Sequence, residues 1–577
     1  MVAVKISWEE ELSVEKSTIV PARERASREK AVVSSALWAA AGDALGWMTE
    51  LARGEAGVAH RTGSNTVSVP VRWQRIVGGQ AGPRVNLPAG TYSDDTQLRL
   101  AVSRAIRGDG EFDVEAFAKI EVTVWPSYAL GAGLGTKAAA SNLARRGVNW
   151  FSNFFDSGGQ KYVAGGGNGA AMRIQPHVWA AAAGSMNGMI ANVLRDSLVT
   201  HGHPHGFCGA VFHAMCVAHA LENRSVPEPS DWLHFIEGLS LVPKLIADDP
   251  QLAAFWQSAW ETNAGLTIES AIRATQSEAS GDVVRVRDIL DGDPVKSYRA
   301  VLERIGCLEP HFRGSGLKTA LAAAALAWLY RDRPIGEALA LSANELESDT
   351  DTIATMAGAV LGCVHVSEPE WAIQDRDYIT QEAMRLAAIA DGRPQDSFAY
   401  PDLGRWTPPN RQTASVGLNG RGYALAGLGT LDPISPEYAA GDAIWQWFML
   451  PFGQTILAKR RAVVKDNLSG SQLPGERQAP IPFRKAVSSS KESQATLFDP
   501  GRKDAREPQR SSEALGHPPR SGLDYWTDVV INRDFDDLTI GRVFNRLLEE
   551  TGSADTAVAF AAIIAKAKLA RERRRRG

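Results

Sequence analysis

The chain has 577 residues, 44% of them hydrophobic, and carries 62 Lys and Arg against 66 Asp and Glu. It is long enough for two or three regions, and its near balance of charge makes no global demand for nucleic acid. No unbroken apolar stretch could span a bilayer, the N-terminal MVAVKISWEEELSVEKS has no apolar signal core, and four scattered cysteines (Cys208, Cys216, Cys307, Cys363) form no CxxC zinc pair, so a soluble cytoplasmic protein without membrane contact is expected.

From about residue 30 to 395, alanine-rich helical patterns alternate with glycine and proline loops, which predicts an all-α core. The first is AVVSSALWAAAGDALGWMTELA. Asp43 within it is costly to bury unless hydrogen-bonded, which gives it a structural role, while Glu50 falls at its end. Ser93-Asp94-Asp95-Thr96 then runs into QLRLAVSRAIRG, apolar at helical spacing, so these carboxylates sit at a helix start. Gly165 to Gly169 holds four glycines and Asn168, a backbone able to approach a diphosphate closely. It is neither a Walker loop, since no GK[ST] follows, nor a dinucleotide fingerprint, since no strand precedes it. His201, His203 and His205 alternate in THGHPHG, where Pro204 and the glycines predict a turn, and His213 and His219 fall in an apolar helix as core residues. Asp349-Thr350-Asp351-Thr352 opens IATMAGAVLGC, a buried helix beginning near Asp351.

Ser, Thr and Asp are also the preferred helix N-caps, and either acidic cluster alone reads as a cap. A cap needs one such residue, however, whereas each cluster brings two carboxylates and hydroxyls, and adjacent half-buried anions repel unless a cation neutralises them. All the donors are oxygens, which favours Mg²⁺, Mn²⁺ or Ca²⁺ over zinc, and four carboxylates suffice for two ions.

The last third changes character. Residues 396–459, with GRWTPPN, GLNGRGYALAGLG and DAIWQWFMLPF, are expected to form an appended subdomain or an insertion over the site. Residues 460–522 are polar and mildly basic and read as a disordered linker. Residues 523–577 predict a small helical module ending in a basic tail, Arg571 and Arg573 to Arg576. That tail reads first as a solvated helix end and second as a contact for RNA, DNA or an acidic partner.

Five motifs in order make the chain resemble the ADP-ribosylglycohydrolase family, the group that includes the dinitrogenase-reductase-activating glycohydrolase: AAAGDALGWMTE (Ala39 to Glu50), TYSDDTQL, GGGNGAAMRIQP (Gly165 to Pro176), VTHGHPHG (Val199 to Gly206) and ESDTDTIATMAGAVLG. The resemblance implies an orthogonal multi-helix catalytic core over 31–395, after an arm of residues 1–30, carrying a C-terminal extension. It implies that Ser93, Asp94, Asp95, Asp349, Asp351 and Thr352 hold two Mg²⁺ (Mn²⁺ as substitute), with Glu50, Asp95 and Asp351 catalytic. Gly167, Asn168, Gly169, Met172, Arg173 and His201 would contact the substrate, an ADP-ribosylated macromolecule or small molecule cleaved at ribose C1″ to release ADP-ribose. Two departures stand out: Ser93 where threonine is common, and Glu347-Ser348 in place of Gly-Gly, which is expected to narrow that loop or alter what fits there. Two other classes use the same residues, an ADP-ribose-binding protein without turnover and a metal-dependent phosphoesterase on a nucleotide diphosphate; AMP as product would mark the latter. In the linker, Gln494-Ala495-Thr496-Leu497-Phe498 resembles the QxxLF peptide by which bacterial proteins dock on the replication sliding clamp, a partner pocket for Leu497 and Phe498.

Overall fold

Every residue from Ala31 to Thr49 is buried, so the first helix, α1 (Ala22–Trp47), is packed on all sides from Ala31 onward rather than along one stripe. The computed structural model describes residues 22–475 and 522–576, other than positions 80, 132, 421, 552 and 553. Around α1 the site is built by α2 (Asp94–Ala105), α3 (Pro204–Asn223), α4 (Gly316–Leu329), α5 (Thr350–His365) and α6 (Arg376–Ala390). The core is helical, as expected; because α1 already begins at Ala22, it extends into the segment expected to be an arm.

The contact between α1 and α5 is made by backbone. A Cβ on Gly42 would lie 2.5 Å from the carbonyl oxygen of Ala354, and one on Gly46 would run into Thr350 and Asp351. From the other side, Gly358 faces the Trp38 carbonyl (2.5 Å) and Gly362 faces Ser35 (2.7 Å). Hydroxyls close the seam: Thr350 Oγ1 donates to the Gly46 carbonyl (2.9 Å) and Ser35 Oγ to that of Ala359 (2.8 Å).

A short antiparallel hairpin, β1 (Trp73–Ile76) with β2 (Arg84–Leu87), leaves the helical core before α2. Residues 416–461 form a six-stranded antiparallel sheet: β3 (Val416–Leu418), β4 (Tyr423–Leu425), β5 (Gly429–Pro433), β6 (Tyr438–Ala440), β7 (Ala443–Met449) and β8 (Thr455–Arg461). The strand order is β8-β7-β5-β4-β3, with β6 also on β7. The region is thus a sheet, where only aromatic and glycine-rich character was expected. It also runs past Lys459: Leu418 bridges to Asn467, and ordered chain continues to residue 475. One face packs Phe448, Ile456 and Ala458 with Leu98, Ile120 and Trp125 of the helical part; the other carries Trp445, Trp447 and Leu457 into the main core.

Contacts divide the chain into units 1–483 and 484–577. In the second, three helices, α7 (Gly522–Asn532), α8 (Asp537–Thr551) and α9 (Ala554–Arg576), surround Val530, Phe535, Val543, Leu547, Phe560 and Ile564. Gln494, Leu497 and Phe498 lie outside the described residues, as do residues 1–21. Among the described residues, no helix is long and apolar enough to cross a membrane.

Gly46→Ala is expected to lower the unfolding free energy by about 1–3 kcal/mol through overpacking of the α1–α5 seam. Gly188→Ala, on a helix where the new methyl meets open space, should be neutral or stabilising by up to about 1 kcal/mol; chemical denaturation of both variants checks the contrast.

Candidate active site

The α1–α5 seam decides where the acidic residues meet. Asp43, fully buried on α1, accepts from the backbone N–H of Ser93 through Oδ1 and of Thr96 through Oδ2, both at 2.8 Å. It thereby caps α2 from outside and holds the first acidic motif against α1. Ser93 sits at the N-cap and accepts from the Asp95 N–H (3.4 Å). Asp349 occupies the N-cap position of α5, yet its side chain makes no cap hydrogen bond; Oδ2 instead accepts from Asn168 Nδ2 (2.9 Å). Capping therefore accounts for Ser93 and Asp43, and Asp351 Oδ1 accepts from the first-turn N–H of Thr352 (2.9 Å), but it does not account for Asp349 or for Asp95 Oδ2.

Those carboxylates converge. Thr352 Oγ1 donates to Asp95 Oδ1 (3.4 Å), and Asp95 Oδ2 is buried with no hydrogen-bond partner among the described residues. Burial pushes the Asp95 carboxyl well above its usual range, and Asp43, Asp94 and Asp349 push it further. Asp351 is raised in the same way, by burial and then by Glu50, Asp349 and Asp95. Without a cation, these groups favour their protonated forms. The donor set, carboxylates and hydroxyls around an orphaned carboxylate oxygen, suits a hard divalent ion. Among the described residues, no three His, Cys, Asp or Glu side chains close to the spacing of a bound ion.

Glu50 lies in the turn after α1, half-buried, with Oε2 3.2 Å from Arg75 of β1. Burial raises its carboxyl; Arg75 opposes that and Asp349 adds to it. Gly131, at φ 96°, lies against Asp94, where a side chain would collide with Oδ1.

The glycine loop is anchored on the start of α4: Asn168 N–H donates to the Gly314 carbonyl (2.8 Å), the Gly316 N–H to that of Gly166 (2.9 Å), and Gly167 bridges to Ser315. Behind the loop stands His201, buried, its Nδ1 2.7 Å from Thr200 Oγ1 and its ring 3.0 Å from where a Gly169 Cβ would be. Burial, and then Arg173, lower the His201 pKa to about 3, so its ring is neutral.

Two expected ligand contacts are not open to a ligand. Arg173 is fully buried, with Nε on Asp196 Oδ1 (2.8 Å), one terminal nitrogen on the Gly169 carbonyl (2.9 Å) and the other on Asp196 O and Thr200 Oγ1 (both 2.9 Å). It holds the loop from beneath. Met172 packs into the cluster of Leu98, Trp125 and Tyr128. His203 and His205 are half-buried behind the loop: His203 caps α3, and His205 reaches Ser315 (3.0 Å) and Glu278 (2.9 Å). His213 is buried as expected, while His219 is half-buried beside Asp231. Glu347 does not narrow the second acidic loop, because it turns outward to Arg299 (2.6 Å).

The family model of ADP-ribosylglycohydrolase matches residues 24–396. The chain is a member of the ADP-ribosylglycohydrolase family. Hydrolysis of ADP-ribose linkages is therefore its general activity. A solved structure described as "ADP-ribosylglycohydrolase-related protein complex" aligns at 20% identity and a TM-score of 0.37, covering 63% of this chain and 99% of its own. No curated protein matches. The glycohydrolase match ends before the sheet and the C-terminal helices.

The buried histidines set an acid limit on stability. Burial lowers His201 and His213 to about 3 and His203 to about 4. Between those values and the unfolded value of about 6.5, the unfolded chain binds protons that the folded histidines refuse, so their contribution to stability falls as pH falls through that window. The raised carboxyls of Asp95 and Asp351 act with the opposite sign, so the test is a difference between variants: from neutral to mildly acidic pH the urea midpoint of His213→Gln should fall less than that of the wild type.

Proposed function

We propose that the protein is a Mg²⁺-dependent hydrolase that cleaves the C1″ glycosidic bond of an ADP-ribosylated acceptor and releases ADP-ribose. The observation that carries this is the meeting of two acidic motifs from distant parts of the sequence, with Thr352 on Asp95 (3.4 Å) and with Asp349 raising both Asp95 and Asp351.

Ser93, Asp94 and Asp95 from one side and Asp349, Asp351 and Thr352 from the other would hold two Mg²⁺, or Mn²⁺ in their place. Bound there, the ions supply positive charge for the ribose hydroxyls and activation of water. Glu50 faces this cluster from the end of α1. Its raised carboxyl and its Arg75 partner suit a group that takes or returns a proton near the scissile bond and stabilises an oxocarbenium-like transition state. Asn168 orients Asp349, and the glycine loop offers a close backbone approach for the diphosphate, with neutral His201 behind it adding no charge.

With Mg²⁺ present, the purified protein is expected to release intact ADP-ribose from an ADP-ribosylated acceptor, read by mass spectrometry, and EDTA should stop it. Asp95→Asn and Asp351→Asn should abolish release, and Glu50→Gln should slow it by about a hundred-fold or more. Release of AMP would replace this assignment with pyrophosphate cleavage; ADP-ribose binding without any release would leave a binding protein.

A further inference from the structure

Two clefts open along strand β1, one at each end, and both have one wall in the family domain and the other in the sheet beyond it. The cleft at the start of β1, about 690 Å³, is lined by Arg61, Arg72 and Gln74 and, from the sheet, by Tyr438 and Trp447. The cleft at its end, about 460 Å³, is lined by Arg75, Gly131 and Lys137 and, from the sheet, by Trp445 and Lys459. Trp445 and Trp447 alternate along β7, opposite Lys459 and Leu457 of β8, so a single sheet face walls both clefts.

Their charge is one-sided. No Asp or Glu is among the described residues lining either cleft, in a chain whose 66 acidic residues outnumber its 62 basic ones. Burial, and then repulsion from Arg75, hold the Arg61 guanidinium down to about 10, with Glu50 opposing; Arg61 donates to the Met48 and Glu50 carbonyls (3.1 and 2.7 Å), which leaves Arg72, Lys137 and Lys459 as the cations facing the clefts. Lys459 Nζ lies 4.8 Å from the Trp445 ring, and the buried indole N–H of Trp447 has no acceptor among the described residues.

The second cleft reaches the carboxylate cluster directly, since Gly131 lies against Asp94 and Arg75 pairs with Glu50. The glycine loop reaches the same cluster through the other motif, by Asn168 on Asp349. The second cleft and the loop thus approach the reacting centre by different residues, and the first cleft continues from the second along the same sheet face. If the loop takes the diphosphate of ADP-ribose, the clefts are left for what ADP-ribose is attached to.

We propose that these clefts are the acceptor site and take a nucleic-acid strand, its backbone phosphates on Arg72, Lys137 and Lys459. This rests on the glycohydrolase reading above. A single phosphate would need one cleft; cations spread over two, interleaved with aromatic side chains, match a strand of phosphates and bases better than a lone phosphorylated residue.

The test is fluorescence anisotropy of a labelled single-stranded oligonucleotide titrated with the full-length protein at several salt concentrations. Wild type should bind, and Lys459→Glu and Arg72→Glu should each weaken binding by about ten-fold and reduce the salt slope by about one. Lys296→Glu, an equal charge change elsewhere on the surface, should leave binding unchanged. ADP-ribose affinity, measured by calorimetry, should be kept in both cleft variants and shows that they fold. No binding by wild type, preference for a phosphopeptide, or unchanged binding in both cleft variants overturns the proposal; the last would place the strand elsewhere, the basic tail included. Loss of ADP-ribose affinity alongside strand binding also overturns it, by assigning the clefts to ADP-ribose itself. Because the readout is binding, a strand held through Lys459 and Arg72 without release of ADP-ribose would support the clefts while removing the hydrolase assignment.

Discussion

The site depends on two helices meeting through glycines, each laid on the other's backbone. Gly42 and Gly46 of α1 lie on the backbone of α5, and Gly358 and Gly362 of α5 lie on α1. Ordinary helix packing keeps axes 8–10 Å apart because side chains interdigitate; small residues at the contact allow closer approach. Here that approach puts the end of α1, with Asp43 and then Glu50, beside the first turn of α5, with Asp351. Asp43 then reaches across to cap α2, so one buried carboxylate transmits the position of α1 to Ser93, Asp94 and Asp95. The six oxygen-bearing residues of the two motifs need no connection of their own, because both helices that carry them are registered on α1.

Such an arrangement is costly by itself. Asp43, Asp95 and Asp351 are buried carboxylates with raised pKa values; beyond burial, Asp95 feels Asp43, Asp94 and Asp349, and Asp351 feels Glu50, Asp349 and Asp95. The buried cation beside them is Arg99, whose guanidinium donates to Thr96 (2.7 Å) and is itself held down by burial. Charge repulsion of this kind is tolerated where the surrounding structure over-determines it, and it prepares a site for a ligand of opposite sign. The close glycine seam, with Asp43 tying α2 to it, is what over-determines it here: the backbones that carry the carboxylates cannot move apart without separating α1 from α5 or α2 from Asp43.

The parts of this site that were legible in the sequence are those whose chemistry is local. An acidic pair at a helix start, a glycine run and a buried aspartate in an alanine-rich helix each carry a physical requirement within a few residues, and the helical core follows from their surroundings. What could not be read was direction. Met172 and Arg173 sit in the glycine motif, but a turn of 3₁₀ helix after Ala170 sends both inward, Met172 to Leu98 and Arg173 to Asp196. Arg75 and Gly131 reach Glu50 and Asp94 only through tertiary folding, and nothing near either residue marks it, apart from the glycines flanking Ala132. The sheet was missed because most of its strands are three to five residues long and β7, AIWQWFM, is buried on both faces, so the alternation that marks a half-exposed strand is absent.

That sheet is joined to the family domain by polar contacts rather than by apolar surface alone. Arg104 of α2 pairs with Glu121 (2.7 Å) and donates to Gln454 in the turn between β7 and β8 (2.7 Å), all buried. Asp375, held at a left-handed φ of 58°, accepts from Tyr92 (2.6 Å) and from the backbone N–H and hydroxyl of Thr455 at the start of β8 (2.8 and 2.7 Å). Buried ionic contacts are weak contributors to stability compared with well-packed apolar groups, but they have few alternative geometries. Tyr92 is the residue before Ser93. The sheet is therefore fixed in register with the first acidic motif through a chain of three side chains, and a wall built from β7 and β8 keeps a defined distance from the carboxylates it faces. An apolar seam could slide by a rotamer; this one cannot slide without costing buried Gln454 its bond from Arg104 and Asp375 its two bonds from Thr455.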